Sequence, residues 1–496
     1  MTAKTMNLTK SSYLKFLQCP KALWLYKFRP ELKPKETDPA LQRRFDEGYY
    51  VESFAYQLFP GGVNAEEDDD LAKTISNTTR LLQEKPPAIF QAAVSSGGLF
   101  CKSDIIVYNA KSKKWDIYEV KSSTGVKDVH LPDLAFQKLC FEQAGVAIGR
   151  TYLVHINNEY VRQGEIAPDQ LLTITNITWE VDELLPDTRL NIKDAQKVYA
   201  LKAEPQARIL KQCSSPYECD FIEYCWKDVP PESIYDLAGK LSEENISLLL
   251  DQGIIKLKDI PEAMVTSARA RRHYQAVKTD QIHIDKQAIK EELSQLKYPL
   301  YFLDYETFSP AVPLFDGWRP YQPITFQYSL HVQTAPGAPL VHHSFLAKEW
   351  QDPSEALAKE LRKVIGKKGS VIVWNMSFEK ARNSELGERC PEYEAFFNSL
   401  NERIVDLMLV FKKGYYVHRG FEGSASLKCV LPVLVPKLSY EELNISEGGT
   451  ASESWREMID PETTKAESNA IYNDLLQYCE LDTKAMVEIL GKLQAL

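Results

Sequence analysis

The stretch YPLYFLDYETFS, residues 298–309, carries the strongest structural signal in the 496-residue chain. Its apolar residues predict a buried strand that carries two carboxylates, Asp304 and Glu306. Residues at positions i and i+2 of a strand point to the same face, so these two side chains share a face. Because a buried carboxylate is costly unless it is paired or holds a metal, the stretch predicts a metal site.

Two further segments downstream carry carboxylates that can join this site. GSVIVWNMS predicts a second strand, and it runs into a helix that carries Asn375, Phe378 and Glu379. The segment 470–493, AIYNDLLQYCELDTKAMVEILGKL, predicts a long helix in which Tyr478 and Asp482 are four positions apart. Helical residues at this spacing lie on one face. The alternative is that Asp304 and Glu306 cap a turn and that Asp482 is a surface residue.

The order of these motifs resembles the DnaQ-like exonucleases of the RNase H-like fold, tyrosine subtype, over residues 298–496. The resemblance implies a DEDD exonuclease with 3′–5′ polarity, in which two Mg²⁺ or Mn²⁺ ions are held by four carboxylates and Tyr478 orients the attacking water. The implied metal ligands are Asp304, Glu306, Glu379 and Asp482. Glu379 stands where the family usually has aspartate, and Asp406 in RIVDLML is the rival candidate.

The first half of the chain contains a second set of charged residues on predicted strands. LFCKSDIIVYN and KWDIYEVKSS predict paired strands joined by the polar turn AKSK. Asp104 lies on the first strand, and Glu119 and Lys121 share a face of the second. Two carboxylates and a lysine on one sheet face can bind Mg²⁺ and position water for phosphodiester hydrolysis. The alternative is a solvent-facing strand with a salt bridge.

This region, residues 10–230, resembles the RecB-like branch of the PD-(D/E)xK nucleases, which includes the CRISPR adaptation exonucleases and the AddB nuclease domain. The resemblance implies a restriction-endonuclease-like fold with Asp104, Glu119 and Lys121 as catalytic residues. The family's G-x-x-x-H motif appears here as Gly48 and Glu52, and Glu52 is a hard ligand suited to Mg²⁺ or Mn²⁺. The Q-x-x-x-Y motif appears as Gln137 and Phe141, with Gln137 expected to contact the scissile phosphate or Lys121.

Four of the nine cysteines form a further constellation. By the same resemblance, one cysteine before the nuclease core and three after it ligate a [4Fe–4S] cluster; these are Cys19, Cys213, Cys219 and Cys225. Four thiolates also suit Zn²⁺, and three unrelated buried thiols are the remaining alternative. We expect the other cysteines to be ordinary core residues.

Residues 231–297 show helical periodicity and almost no strand pattern, so we expect three zones: residues 1–230, a helical linker at 231–297 and residues 298–496. The linker resembles a helix–hairpin–helix in part, and it is either a DNA-guiding element or a plain spacer. Basic residues that we expect to meet nucleic acid lie in the linker and in the last zone; they are Arg269, Arg271, Arg272, Lys412, Lys413 and Lys428.

The composition bounds these interpretations. A net charge of −10 argues against a general polyanion binder, but carboxylates that hold metal ions count as negative in that sum. No apolar run approaches the roughly 20 residues of a membrane span, and the odd cysteine count favours a reducing compartment, so we expect a cytoplasmic α/β protein.

The whole arrangement resembles a bacterial family of predicted RecB-type nucleases with a C-terminal RNase H-like domain. That resemblance implies a DNA nuclease with two active sites, acting on single strands or free ends in repair, recombination or defence. An RNA-directed nuclease, or a nucleic-acid adaptor with one decayed module, is the alternative.

Overall fold

A computed structural model describes residues 7–34, 39–67 and 70–496, and it is a mixed α/β protein with several sheets. The chain divides into two compact units. Unit 1 comprises Met1–Asp228 and Pro310–Gln322, and unit 2 comprises Val229–Ser309 and Pro323–Leu496. In the part of the chain that the structure describes, none of the helices has the length and apolar character that a membrane crossing requires.

Unit 1 is built on one large sheet with helices on its faces. Its strands are β1 (Leu8–Thr9), β2 (Val63–Asn64), β3 (Ala88–Ser96), β4 (Leu99–Asn109), β5 (Lys114–Lys121), β6 (Ile148–Ile156) and β7 (Leu172–Asn176). Its helices are α1 (Lys10–Gln18), α2 (Pro20–Phe28), α3 (Pro39–Gln57), α4 (Leu71–Glu84), α5 (Leu131–Gln143), α6 (Pro168–Leu171), α7 (Thr178–Ala200) and α8 (Ile222–Trp226).

The sheet of unit 1 runs in the order β2-β3-β4-β5-β6-β7, and β1 pairs with β4. The predicted hairpin of β4 and β5 is confirmed, because the two strands pair antiparallel from Ile105–Tyr118 to Asn109–Lys114. The turn between them places Lys113 in the left-handed region at φ 58°. Helix α5 contributes Phe136 and Phe141 to the main core of the unit. This packing fixes the face on which α5 presents its polar residues.

Residues 310–322 belong to unit 1, although we expected them to lie within the zone 298–496. A small apolar cluster explains why they belong to unit 1: Ala311 and Val312 are buried together with Val51 and Ala55 of α3. Arg162 also donates hydrogen bonds to the carbonyls of Pro313 and Leu314, at 2.9 and 2.7 Å. The segment that links the first two strands of the second sheet is thus a structural part of unit 1.

Unit 2 contains two smaller sheets, one of five strands and one of two. Its strands are β8 (His283–Ile284), β9 (Leu300–Phe308), β10 (Ile324–Gln333), β11 (Leu340–Leu346), β12 (Ser370–Val373), β13 (Ile404–Asp406) and β14 (Tyr416–Val417). Its helices are α9 (Glu243–Asp251), α10 (Ala268–Thr279), α11 (Lys286–Ser294), α12 (Ser354–Val364), α13 (Met376–Arg389), α14 (Glu394–Asn401), α15 (Leu409–Lys412), α16 (Leu427–Leu434), α17 (Gly448–Met458) and α18 (Lys465–Gln494).

The main sheet of unit 2 runs in the order β11-β10-β9-β12-β13, with β9 at its centre. β10 is antiparallel to both β9 and β11, whereas β12 is parallel to β9 and to β13. The predicted strand at residues 298–309 is therefore confirmed as the central strand, β9. Helix α18 begins at a capping box of Thr464 and Glu467 and packs against β9 and β10.

The expected linker, residues 231–297, is part of unit 2 rather than a separate zone. It contains α9, α10 and α11, and it has an apolar core of its own that includes Leu249, Leu257 and Tyr274. Its strand β8 pairs with β14. Because these residues bury apolar side chains and pair with a distant strand, they are a folded part of the unit.

Candidate metal centres

Four carboxylates meet in unit 2 from three different elements. Asp304 and Glu306 lie on β9, Glu379 lies in the first turn of α13, and Asp482 lies on α18. Besides burial, the charges of Asp482, Glu306 and Glu379 all raise the pKa of Asp304, and ligand oxygens of Asp304 and Glu306 lie within 4.8 Å of each other and of the Cys479 thiol. The sequence motifs predicted this set, and the structure brings its members together. We call these four residues the carboxylate cluster.

Burial and mutual repulsion dominate the electrostatics of the carboxylate cluster. The pKa of Asp304 lies well above its ordinary value because of burial, and the charges of Asp482 and Glu306 raise it further. Burial is also the main cause that raises the pKa of Asp482 to about 7 and that of Glu379 to about 8. A site that resists ionisation in this way becomes favourable once a cation neutralises it.

Glu379 and Asp406 differ in what their oxygens contact. Oε2 of Glu379 is buried and makes no hydrogen bond. Asp406 accepts backbone hydrogen bonds on both oxygens, from the N–H of Met376 at 3.2 Å and from that of Met408 at 3.0 Å. Asp406 therefore holds the start of α13 and the turn after β13, while Glu379 has an oxygen available for a metal.

Three residues around the cluster add hydroxyl and thiol groups. Tyr478, predicted from the sequence, lies beside Asp482 and Glu306, and burial raises its pKa. Tyr440 donates a hydrogen bond to Oδ1 of Asp482, and Cys479 donates its thiol to Oδ2 of Asp304 at 3.6 Å. Sequence reasoning missed Tyr440, which lies between helices with no pattern around it, and it assigned Cys479 to the core alone.

The second centre lies in unit 1 and is organised by hydrogen bonds to Glu119, which is almost fully buried. Lys10 and Lys121 both donate to its Oε1, at 2.9 and 2.5 Å. Gln137 donates to its Oε2 at 2.7 Å and to Oδ1 of Asp133 at 2.9 Å. The predicted residues Glu119, Lys121 and Gln137 are thus in direct contact.

Asp104 and Glu52 border this network. Asp104 accepts a hydrogen bond from the backbone N–H of Val120 at 2.8 Å, and burial together with Glu119 raises its pKa to about 8. Glu52 accepts hydrogen bonds from Tyr56 and Gln91, and burial is the main cause that raises its pKa. The charge of Glu119 raises the pKa of both carboxyls further.

Lys10 and Asp133 were missed by sequence reasoning. Lys10 begins α1 and is separated from Glu119 by 109 positions. Asp133 lies one turn before Gln137 on α5, and its contact with Lys121 is 3.0 Å long. Its i, i+4 spacing to Gln137 is a signal that places both on one helix face. Phe141, one further turn along, is fully buried core and takes no part in the network.

The four cysteines of the predicted cluster lie near one another in unit 1. Cys19 is at the start of α2, Cys225 is on α8, and the backbone N–H of Cys219 donates to the carbonyl of Cys213 at 2.9 Å. Burial raises the pKa of Cys213, Cys219 and Cys225, and the other thiols raise it further. Thiols grouped in this way suit a cation that stabilises thiolates.

The spacing of these sulfurs bears on the choice of metal. Around a single Zn²⁺, thiolate sulfurs at about 2.3 Å from the ion lie about 3.8 Å apart. Among the described residues, the groups whose ligand atoms lie within 4.8 Å of one another do not include these cysteines. The sulfurs are therefore spaced more widely than those of thiolates bound to one Zn²⁺.

The predicted nucleic-acid contacts divide into two kinds. Arg269, Arg271 and Arg272 donate to backbone carbonyls of unit 2, namely those of Gly423, Val265 and Lys413. Lys413 pairs with Glu292 at 2.8 Å. Lys428 instead lies near the carboxylate cluster, because its charge lowers the pKa of Glu306 and Asp482. Lys412 is exposed, and its charge lowers the pKa of Asp406.

Parts of the chain are similar to known sequences. Residues 301–426 match a domain family described as a domain of unknown function, DUF2779. This match covers Asp304, Glu306 and Glu379 but ends before Asp482. An uncharacterized protein of Mycoplasma pneumoniae, named as a homolog of MG366, is 26% identical over 221 residues, which are 40% of this chain and 33% of that protein.

Two other relatives are similar at the same level. The uncharacterized protein UU173 of Ureaplasma parvum is 25% identical over 233 residues, or 43% of this chain and 33% of that protein. The uncharacterized protein MG366 of Mycoplasma genitalium is 25% identical over 228 residues, or 42% of this chain and 34% of that protein. The chain therefore matches about a third of the length of these curated relatives.

Proposed function

We propose that the chain is a metal-dependent nuclease and that the carboxylate cluster of unit 2 is a site of phosphodiester hydrolysis at the 3′ end of DNA. The observation that carries the proposal is the convergence of Asp304, Glu306, Glu379 and Asp482, all buried or nearly so, from β9, α13 and α18. Four carboxylates in one place are far more than a structural ion pair requires.

The charge balance of the cluster supports a divalent metal. The basic residues whose charges lower these pKa values are Lys428, which acts on Glu306 and Asp482, and Arg382, which acts on Glu379. Arg382 is already bonded to Glu385 through two hydrogen bonds. Two Mg²⁺ or Mn²⁺ ions bound by the four carboxylates would supply water activation and stabilisation of the leaving oxygen.

The remaining residues have roles that follow from their contacts. Tyr440 holds the carboxylate of Asp482 in one orientation through its hydrogen bond to Oδ1. Besides burial, the charges of Asp482 and Glu306 raise the pKa of the Tyr478 hydroxyl, which therefore lies in the field of the carboxylate cluster. We assign Tyr478 to orienting the attacking water and the exposed ammonium of Lys428 to contacting a substrate phosphate.

The order of the sheet supports an RNase H-like fold for unit 2. Three antiparallel strands, β9, β10 and β11, precede two parallel ones, β12 and β13, and the central strand β9 carries the first two carboxylates. This is the arrangement that we expect of a DnaQ-like domain. The match to a domain of unknown function spans the strands of this sheet and leaves its chemistry open.

We propose that unit 1 is a second nuclease, of the PD-(D/E)xK type. Asp104, Glu119 and Glu52 would hold a divalent metal, and Lys121 and Lys10 would orient a water and balance its charge as it loses a proton. The two lysines that contact Glu119 support this role, because the network places ammonium groups directly beside the carboxylates. The four cysteines would hold a [4Fe–4S] cluster that fixes the first helices of unit 1 to residues 213–225.

Two other functions compete with this proposal. RNA is a substrate that an RNase H-like fold also accepts, and an adaptor that binds nucleic acid without cleaving it would use one decayed unit. Each unit keeps the charged residues that its proposed chemistry needs: carboxylates in unit 2, and carboxylates with lysines in unit 1. This favours two active units over one decayed unit. The adaptor function would not require the buried, unpaired Oε2 of Glu379.

The direct test uses the full chain and oligonucleotides labelled at the 5′ end, either single-stranded DNA or RNA of the same sequence, with Mg²⁺ or Mn²⁺. The Asp104→Asn variant isolates unit 2, and we expect it to shorten DNA progressively from the 3′ end. Adding Asp304→Asn should abolish the shortening, whereas adding Glu488→Gln on the same helix as Asp482 should not. Equal degradation by all three variants would contradict the proposal, and faster cleavage of RNA would change the substrate.

A further inference from the structure

A second group of potential metal ligands lies on the edge of the sheet in unit 2. His331 of β10 and His342 of β11 are direct cross-strand partners, and Glu480 of α18 lies above them. One ligand atom from each of the three lies within 4.8 Å of the others. Nδ1 of His342 is 3.8 Å from Oε1 of Glu480, and the two imidazole rings stack at 4.5 Å. We call this set the His–His–Glu group.

A chain of hydrogen bonds behind the group supports one assignment of the proton on each histidine. The Thr483 hydroxyl is 3.1 Å from the carbonyl of Glu480, which can only accept, and we assign its hydrogen to that bond. Ser329, 2.7 Å from the Thr483 oxygen, must then donate to it. The hydrogen of Ser329 is thus also committed.

With this assignment the two histidines are the donors in their own contacts. His342 uses Nε2–H to donate to Ser329 at 2.9 Å, and His331 uses Nδ1–H to donate to Thr483 at 2.8 Å. The opposite nitrogens, Nε2 of His331 and Nδ1 of His342, keep their lone pairs. Ligating histidines are oriented in this way in metal sites, by a hydrogen bond from the second ring nitrogen.

The charge state of the imidazoles agrees with this arrangement. Burial lowers the pKa of His331 to about 4, and burial is also the main cause that lowers the pKa of His342. Both rings are neutral at neutral pH, which is the form that binds metal.

We propose that His331, His342 and Glu480 form a binding site for a divalent transition metal of the Zn²⁺ class, separate from the carboxylate cluster. Two imidazole nitrogens and one carboxylate oxygen are a ligand set that Zn²⁺ accepts, with water as the fourth ligand. Imidazole ligands select such metals over Mg²⁺, which prefers oxygen.

The ligand atoms must move slightly closer together when a metal binds. Ligands at about 2.0–2.1 Å around a tetrahedral ion lie about 3.4 Å apart, so the 3.8 Å contact between His342 and Glu480 must shorten slightly. The Glu480 side chain is half exposed, and it can rotate without disturbing the core. The histidines, which sit on paired strands, need not move far.

The site differs from the carboxylate cluster in position as well as in chemistry. Glu480 and Asp482 are two residues apart on α18, and two residues turn an α-helix by about 200°. Their side chains therefore leave the helix on opposite sides. A metal at the His–His–Glu group would tie the edge strand β11 to the helix that carries Asp482 and Tyr478.

The neighbouring His343 provides a matched control. It precedes Ser344 on the same strand and is paired with Leu330, whereas His342 is paired with His331. Because successive side chains of a strand point to opposite faces, His343 faces away from the group. Both histidines are partly exposed, so their substitutions are comparable.

The test measures zinc bound by the full chain after equilibrium dialysis against Zn²⁺ in excess Mg²⁺, which occupies the oxygen-ligand sites. We expect wild type and His343→Ala to hold one zinc per chain more than His342→Ala. Glu480→Gln changes a half-exposed side chain and preserves the fold, and we expect it to weaken this zinc at least ten-fold. Unfolding temperatures without zinc check that the variants are folded.

Two results would overturn the proposal. One is the same zinc content in wild type, His342→Ala and Glu480→Gln. The other is an equal loss of zinc in His343→Ala and His342→Ala, which would show that the strand rather than the group matters. If His342→Ala fails to fold, Glu480→Gln decides: unchanged zinc affinity in that variant contradicts the site.

Discussion

The hydroxyl of Tyr440 donates a hydrogen bond to Oδ1 of Asp482, and both groups are buried. Tyr440 comes from the segment between α16 and α17, whereas Asp482 lies on α18. This bond fixes one carboxylate of the cluster from outside the metal site. Partners of this kind orient a ligand without touching the metal.

Tyr440→Phe should therefore weaken Mg²⁺ binding by about ten-fold or more, as substitution of such outer partners does. The aromatic ring remains, so we expect little loss of packing. Isothermal titration of Mg²⁺ into the metal-free Asp104→Asn protein measures the effect. Tyr472→Phe is the control, since its ring keeps its contact with Lys348 and lies on the same helix as Asp482. Equal affinities in the two variants would contradict the role of Tyr440.

The metal-free cluster should make stability depend on pH. The pKa of Asp482 is about 7 in the folded protein, against an ordinary value of 3.8 for an aspartate side chain. The folded state therefore holds a proton that the unfolded state has lost, and stability falls as the pH rises from about 4 to about 7.

Asp482→Asn should remove this contribution and raise the unfolding temperature of the metal-free protein at pH 8. Relief of about 1 kcal/mol corresponds to about 2–4 °C for a unit of this size. The variant should also lose part of the stabilisation that Mg²⁺ gives to wild type. Scanning calorimetry at pH 5 and pH 8 measures both effects, with Glu488→Gln as the surface control. A variant less stable than wild type at pH 8 without metal would argue against repulsion in the cluster.

Substitutions of Glu379 and Asp406 should have opposite effects on activity and stability. Glu379→Gln should abolish 3′-end shortening and leave stability unchanged or higher, because its Oε2 has no hydrogen bond to lose. Asp406→Asn should cost about 1–3 kcal/mol of stability, since an amide NH₂ cannot accept one of the two backbone hydrogen bonds. Its activity at low temperature should remain. The reverse result, with Asp406→Asn inactive and Glu379→Gln active, would identify Asp406 as the ligand.

The two centres should be independently removable. Lys121→Met should abolish whatever cleavage persists in Asp304→Asn, because Lys121 contacts both Glu119 and Asp133. It should leave the 3′-end shortening by unit 2 intact. Lys114→Met, at the exposed start of β5, is the control. If Lys121→Met removed both activities in a folded protein, the units would not act separately.

The cysteines predict a coloured protein. Wild type purified without oxygen should be brown and contain about four irons per chain, since a [4Fe–4S] cluster takes four thiolates. Cys213→Ser should lose the iron and destabilise unit 1, whereas Cys429→Ser, at a similarly exposed thiol, should retain it. One bound zinc without iron would show that the four cysteines hold zinc instead of a [4Fe–4S] cluster. No bound metal at the four cysteines would contradict both the iron–sulfur and the zinc assignment.

Periodicity carried most of what the sequence predicted correctly. The two-residue alternation on β9 and β5 placed Asp304 with Glu306 and Glu119 with Lys121, and the four-residue spacing on α18 placed Tyr478 with Asp482. These are local relations, and the backbone of one element determines them. The apolar residues of β9 also predicted a buried strand, whereas its central position in the sheet is a finding of the structure.

Long-range packing determined the parts that the sequence did not predict. Lys10 reaches Glu119 across 109 positions, and Tyr440 reaches Asp482 from a segment with no regular pattern. The pairing of His331 with His342 depends on the register of β10 and β11, which a turn of six residues sets. Residues 310–322 join unit 1 because tertiary contacts bury Ala311 and Val312, which no local motif signals.

The most direct test of the central claim is a crystal structure of the full chain soaked in Mn²⁺, with anomalous scattering measured at the manganese edge. We expect manganese peaks among Asp304, Glu306, Glu379 and Asp482, with Tyr440 still bonded to Asp482 and Asp406 outside the metal shell. Absence of a peak beside Asp304 and Glu306, or a peak there with neither Glu379 nor Asp482 as a ligand, would contradict the two-metal site.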